Sequence, residues 1–150
     1  MSSAATLIKG FEVGPGGSPY LQAIPDTNGR WQIGYGSTWN YDNNRYVVQG
    51  DKISFVQANN WMNTEIREKQ KVIQSLVKVP VSTNQMTAMI SLAYNIGTTA
   101  FTHSTLLRLL NEGANINTVA DQFDRWIYAE GIILQGLVRR RAAEKDLFLL

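Results

Sequence analysis

Residues 12–38 read EVGPGGSPYLQAIPDTNGRWQIGYGST, and their interpretation decides the fold. Up to Tyr41 the chain holds only two acids, Glu12 and Asp26, and both fall in this stretch. Upstream, SSAATLIKGFE is short and helix-compatible, with Leu7, Ile8 and Phe11 on one apolar face. Ser2 or Ser3 is the expected cap. The segment VGPGGSP carries three glycines and two prolines in residues 13–19, and it ends any helix there. Glycines and turn pairs then separate the short runs YLQAI, RWQIGYG and RYVV, a pattern of small antiparallel strands. Asp26-Thr27-Asn28-Gly29 is the expected turn between the first two.

Beyond Asp51 the pattern reads as helical nearly to the end. Ile53 to Val77 carries apolar residues at helical spacing and stops before Pro80, as one helix or two pieces. Ser82-x-x-Gln85 is a capping-box pattern before Met86 to Ile96, with Gly97 as C-cap. Leu106, Leu107, Leu109 and Leu110 lie on the next helix, closed by Gly113. Thr118-x-x-Asp121 is expected to open another, carrying Val119, Phe123, Trp126 and Ile127. The last runs from about Gly136 to Leu149. The fold class is therefore α+β, with a small β-rich lobe near the N-terminus and a larger helical lobe.

Composition narrows the function classes. At 150 residues the chain suits one domain or two small lobes, and 44 % hydrophobic residues with four Trp and six Tyr supply a core. The formal charge of +2 suits an anionic polymer, but no basic stripe with interleaved aromatics points to nucleic acid. Cysteine is absent, which removes disulfides and thiolate metal sites. No metal or other cofactor is expected. The opening residues carry no long apolar run, so neither a secretory signal nor a membrane span is expected.

Three constellations carry candidate chemistry. Glu12 after a helix and Asp26 in a turn are, on spacing alone, ordinary solvated carboxylates. As a pair they suit glycosidic cleavage, in which one carboxyl donates a proton to the leaving oxygen and the other stays ionised. Glu12 beside Phe11 and Val13 suits the acid, and Asp26 among Thr27, Asn28 and Gly29 suits the ionised partner. His103 stands alone, without the partners a catalytic or metal-binding imidazole needs, and reads as a cap or surface residue. Arg139-Arg140-Arg141 reads first as solvated charge paired with Glu144 and Asp146, and second as attraction to an anionic polymer.

Motif order raises the pair above the ordinary reading. LIKGFE, D-x-x-G-x-W-x-I-G-Y-G-x-T, VPVSTNQMTAMISLAYNIG, STLLRLLNEG, ADQFDRWIYAEG and GLVRRRAAEKDLF follow one another along essentially the whole chain. This ordered set resembles the phage-type lysozymes, endolysins of glycoside hydrolase family 24 of the lambdoid sort. The resemblance implies one lysozyme-like domain over 1–150, with a β-rich lobe at about 13–50, a helical lobe from 1–12 and 51–150, and a cleft between them. It implies Glu12 and Asp26 as the catalytic acids. The implied reaction is hydrolysis of the β-1,4 bond between N-acetylmuramic acid and N-acetylglucosamine in bacterial peptidoglycan. Tyr94, Asn95 and Gly36 match substrate-contacting positions.

Three departures lie near the chemistry. Gln32 stands where the family usually has Thr, whose hydroxyl helps hold the attacking water; a Gln amide also donates and accepts hydrogen bonds but is longer. Ser37 replaces a common His, and residues 13–19 lengthen the gap between the acids. If Gln32 displaced the water, the sugar's own 6-hydroxyl could attack, giving the 1,6-anhydro product of a lytic transglycosylase. A non-catalytic peptidoglycan-binding homologue is the other alternative. The expected biology is a monomer that accumulates in the host cytoplasm, associates with no membrane, and reaches the wall through a holin pore. A domain of a virion protein is also compatible with the sequence.

Overall fold

The computed structural model describes residues 3–12, 17–26 and 28–150, with the Ser3 side chain left out. The expected cap Ser2, the Ser3 side chain and most of the 13–19 loop therefore lie outside the described residues. The chain divides into two compact units, Met1–Ile66 and Arg67–Leu150.

The first unit begins with helix α1, Ser3–Lys9. It buries Ala4, Ala5 and Ile8, while Leu7 and Phe11 are only half-buried. The buried stripe is thus one of small residues around Ile8 rather than the expected Leu7/Ile8/Phe11 face. The helix ends because the Phe11 and Glu12 amides both turn back to the Ile8 carbonyl, at 3.0 and 2.9 Å.

Strands β1, Tyr20–Pro25, and β2, Trp31–Gly34, form an antiparallel hairpin with Ile24 opposite Gln32 and Pro25 opposite Trp31. The turn lies at the expected Asp26–Gly29: the Asp26 amide donates to the Arg30 carbonyl at 2.6 Å, and the Gly29 amide to the Asp26 carbonyl at 3.1 Å. A second small hairpin joins β3, Trp39–Asn40, to β4, Arg45–Tyr46. Trp39 and Tyr46 meet edge to face across it, ring centroids 5.1 Å apart. Arg45 holds Asp51 through two parallel bonds of 2.9 Å. This pairing, with burial opposing it, keeps the Asp51 carboxyl well below the usual carboxylate range. Asp51 fixes residues 51–53 beside β1, where Ala23 donates to the Asp51 carbonyl and Ile53 to the Leu21 carbonyl, each at 2.9 Å.

Helix α2, Phe55–Leu76, is one uninterrupted helix of 22 residues. It starts on a capping box that the sequence reading passed over: the Gln57 amide donates to Ser54 Oγ, and the Ser54 amide to Gln57 Oε1. Ala58, Trp61, Met62 and Ile66 are its buried residues in the first unit.

The second unit is built around α3, Thr83–Ile96, whose residues Thr87 to Ala93 are all buried. Its Ser82/Gln85 capping box and its Gly97 C-cap, at φ 92°, are both present as expected. Then come α4, Thr98–Thr102, and α5, Thr105–Asn111. His103 is the exposed C-cap residue of α4. Helix α6, Ile116–Asp121, opens on Asn115 and not on Thr118: the Asn115 side chain accepts from the Asn117 amide at 2.9 Å. It runs into a 3-10 turn, Gln122–Arg125.

A short hairpin then interrupts the expected helical run, with β5, Tyr128–Ala129, against β6, Ile132–Ile133. Its two-residue loop, Glu130-Gly131, has positive φ at both positions, 52° and 78°, the geometry that a tight hairpin requires. Helix α7, Gln135–Leu149, packs on α3 and closes the unit.

The arginine run pairs with Glu144 as expected, but two of its members are buried rather than solvated. Arg140 and Arg141 are buried, and Glu144 is fully so. Arg141 Nε stands 2.6 Å from Glu144 Oε1, Arg141 Nη2 donates to Glu144 Oε2 at 3.2 Å, and Arg140 Nε lies 3.4 Å from the same oxygen. The Ser91 hydroxyl of α3 also donates to Glu144. Burial pushes the Glu144 carboxyl up, against the pull of both guanidiniums and of Ser91. Two of the three arginines are therefore structural, and only Arg139 is exposed.

Candidate active site

The described part of the site lies in the first unit. Glu12 is half-buried, just beyond α1, with its backbone pinned to Ile8. Its carboxylate rests against Gly36. A Cβ placed on Gly36 would stand 3.0 Å from Glu12 Oε2, 3.6 Å from Glu12 Cδ and 3.8 Å from Gln32 Oε1. Glu12 and Gln32 are thus brought together around the same glycine.

The backbone there is a tight turn after β2. The Ile33 amide donates to the Ser37 carbonyl at 2.9 Å, and the Ser37 amide to the Ile33 carbonyl at 2.8 Å. Gly34 and Gly36 both take positive φ, 66° and 91°, which side chains other than glycine adopt only under strain. Tyr35 between them is buried, with the Lys9 ammonium 5.2 Å from its ring centroid, and burial pushes its hydroxyl pKa up. Ser37 Oγ is buried and has no hydrogen-bond partner among the described residues.

Asp26 sits where the hairpin turns. Its Oδ1 accepts from the Asn28 amide at 2.8 Å and the Arg30 amide at 2.9 Å, and its Oδ2 lies 3.4 Å from Arg30 Nε. Burial pushes the Asp26 carboxyl up. The two amides and the Arg30 guanidinium outweigh it and hold the pKa below the ordinary value. Ile24 faces Gln32 across the strands, and Asp26 follows two residues on, in the turn just past the end of β1. Arg30 was not singled out from the sequence; an Arg four residues after an Asp, across a glycine turn, was the available signal.

Tyr94 and Asn95 lie on the last turn of α3, in the second unit, Tyr94 half-buried and Asn95 exposed. Chemically, the first unit offers a carboxyl group in a packed position, a carboxamide beside it, and a second carboxylate kept ionised. Acid-assisted cleavage of a glycosidic bond uses this complement.

Comparisons with known proteins agree with that chemistry. The family model for phage lysozyme matches residues 17–144. The endolysin of Acyrthosiphon pisum secondary endosymbiont phage 1 is 38 % identical over 132 residues, 85 % of this chain and 86 % of the relative. Among solved structures, the muramidase domain of SpmX from Asticaccaulis excentricus superposes with a TM-score of 0.82 at 32 % identity, covering 100 % of this chain and 97 % of that one. A mutant of P22 lysozyme superposes at 0.78 with 35 % identity over the same shares of the two chains. The chain belongs to the phage lysozyme family.

Proposed function

We propose that this protein is an endolysin that hydrolyses the β-1,4 bond between N-acetylmuramic acid and N-acetylglucosamine in peptidoglycan. It acts on the bacterial cell wall, so that the host lyses and phage is released. The observation that carries the reading is the meeting of Glu12 and Gln32 at Gly36, with the Asp26 carboxylate accepting two backbone amides in the hairpin turn.

In this reading Glu12 is the general acid. It donates its proton to the glycosidic oxygen as the bond to the anomeric carbon breaks. Asp26 supplies negative charge to the oxocarbenium-like transition state, orients the incoming water and takes up the water's proton as its oxygen bonds the anomeric carbon. Its two backbone donors keep it charged well into acid, so it needs no reorganisation during the reaction. Gln32 replaces the family's Thr hydroxyl as the group that hydrogen-bonds the water, with one carboxamide able both to donate and to accept. Asn95 and Tyr94 add contacts to the sugar chain. The protein works as one domain and as a monomer, needs no cofactor, and reaches the wall through a holin pore. Among the described residues no helix is long and apolar enough to cross a membrane.

Purified peptidoglycan digested by the wild type and by Glu12→Gln, followed by mass analysis, tests the reaction. New reducing ends from the wild type alone are expected. Fragments lighter by one water would instead reveal transglycosylase chemistry, and wall binding without fragments would sink the enzymatic reading. For export, expression inside a bacterial host is expected to lyse it only when a pore-former is co-expressed.

A further inference from the structure

Gly36 matches a position where the family contacts substrate, but its surroundings point to another role. Three constraints meet at this residue. Its backbone is locked, because Ile33 and Ser37 exchange both of their hydrogen bonds across it. The same turn is backed by packing at Gly34, where a Cβ would meet Ala58 Cβ and Ile53 Cδ1 at 3.4 Å. The Glu12 backbone is equally fixed by its bond to Ile8, at 2.9 Å. Both main chains are held by hydrogen bonds, so a side chain at position 36 would press first on the Glu12 carboxylate.

We propose that Gly36 is a positioning residue for the general acid: its missing side chain leaves the space in which the Glu12 carboxylate lies beside Gln32. This deepens the muramidase reading and rests on it. A methyl group at position 36 would stand 3.0 Å from Glu12 Oε2, and the carboxylate would have to give by a few tenths of an ångström. The end of a flexible side chain yields readily, so the displacement falls on geometry rather than on folding. Catalytic groups tolerate little of it, since a misplacement of about 1 Å lowers rates roughly a hundredfold. Gln32 Oε1, 3.8 Å from the same point, is displaced less or not at all.

The difficulty in testing a glycine is that any side chain at φ 91° also strains the backbone. Gly50 supplies the control. Its φ is 92°, and a Cβ there meets nothing within 4 Å. Gly50→Ala therefore carries strain from a matching φ without touching Glu12. The two variants are compared with the wild type by thermal unfolding and by kcat and KM on soluble glycan-strand fragments.

The expected result is a similar loss of thermal stability in both, with kcat lowered about tenfold or more in Gly36→Ala alone and KM unchanged within about twofold. If Gly36→Ala does not hold its fold at the assay temperature, Gly36→Asn carries the same Cβ with less strain, because Asn adopts positive φ more readily. A folded position-36 variant with the kcat of Gly50→Ala overturns the proposal, as does a loss confined to KM, which would make Gly36 a substrate contact. An inactive wild type would instead refute the muramidase reading itself, so the two failures are distinguishable.

Discussion

Asp26 has two claims on it, and two substitutions separate them. As a structural residue it stitches the hairpin turn, through bonds of 2.8 and 2.9 Å from the Asn28 and Arg30 amides to a single oxygen, Oδ1. As a catalytic residue it contributes negative charge. Asp26→Ala removes both functions. Hydrogen bonds to a charged group contribute about 1.5–3 kcal/mol each when buried. Here the turn is largely open to solvent, so the pair together is worth about 2 kcal/mol. In a chain of this size that lowers Tm by roughly 4–8 °C.

Asp26→Asn keeps an acceptor in the Oδ1 position and loses only the ionic share. The Arg30 contact adds little, since that side chain is 71 % exposed; the whole ionic share is below about 1 kcal/mol. Activity should rank differently, with both variants losing at least about a hundredfold in the release of reducing ends from peptidoglycan. The linkage sign gives a further check. The folded pKa of Asp26 lies below its unfolded value, so the stabilisation it brings is complete above the unfolded pKa. It is lost as pH falls through the folded one. The stability difference between wild type and Asp26→Asn is therefore flat near neutrality and is lost as pH falls below the ordinary carboxylate pKa. An Asp26→Asn variant within threefold of wild-type activity would refute the catalytic assignment and leave Asp26 as a turn residue.

Other substitutions probe the remaining elements. Glu144→Ala leaves two buried guanidiniums without their counter-charge and should destabilise by about 3–5 kcal/mol in chemical denaturation. Exposed Arg139→Ala should stay within about 0.5 kcal/mol of wild type. Ser82→Ala breaks the α3 capping box and should cost about 1 kcal/mol by the same measurement. Gln32→Thr should still generate reducing ends, whereas Gln32→Leu, with no hydrogen-bonding group for the water, should lower kcat about tenfold or more on soluble fragments.

The elements legible in the sequence were those whose cause is local. Ser82 with Gln85, the glycine turns of the first hairpin and Gly97 each carry their geometry in a few residues, and each appears where the pattern placed it. The misses share a different origin. The β5/β6 strands are two residues long, too short for alternation to register, and their turn uses Glu130 where Asn or Asp would have announced it. Thr118 looked like a cap because an acid follows at the right spacing, but Asn115 reaches the helix start first. Arg140 and Arg141 looked solvated because charge normally is. Their burial depends on Glu144 one turn along, on the Ser91 carbonyl, which accepts from Arg140 Nη2 at 3.2 Å, and on the Trp126 carbonyl, which accepts from Arg141 Nη1 at 3.3 Å. The pairing with Glu144 was legible in the three- and four-residue spacing and is present, but the burial depends on acceptors from segments far off in the chain.

The candidate site shows the same divide within one motif. I-G-Y-G is legible as a family signature, and its glycines suggest a turn, yet nothing in those four residues states why a side chain is excluded at the second glycine. The reason sits 24 positions earlier in the chain: Glu12 emerges from α1 with its backbone pinned, and its carboxylate occupies the space a Cβ would need. Two distant stretches, each locally ordinary, thus constrain one another: a Cβ at position 36 would stand 3.0 Å from Glu12 Oε2. Gln32 borders the same space. Its longer side chain brings its oxygen to the same open face of Gly36, so the glycine gap serves both the acid and the group proposed to hold its water. Filling the gap would disturb the acid first, because Glu12 Oε2 is nearer than Gln32 Oε1 by 0.8 Å, the difference between 3.8 and 3.0 Å.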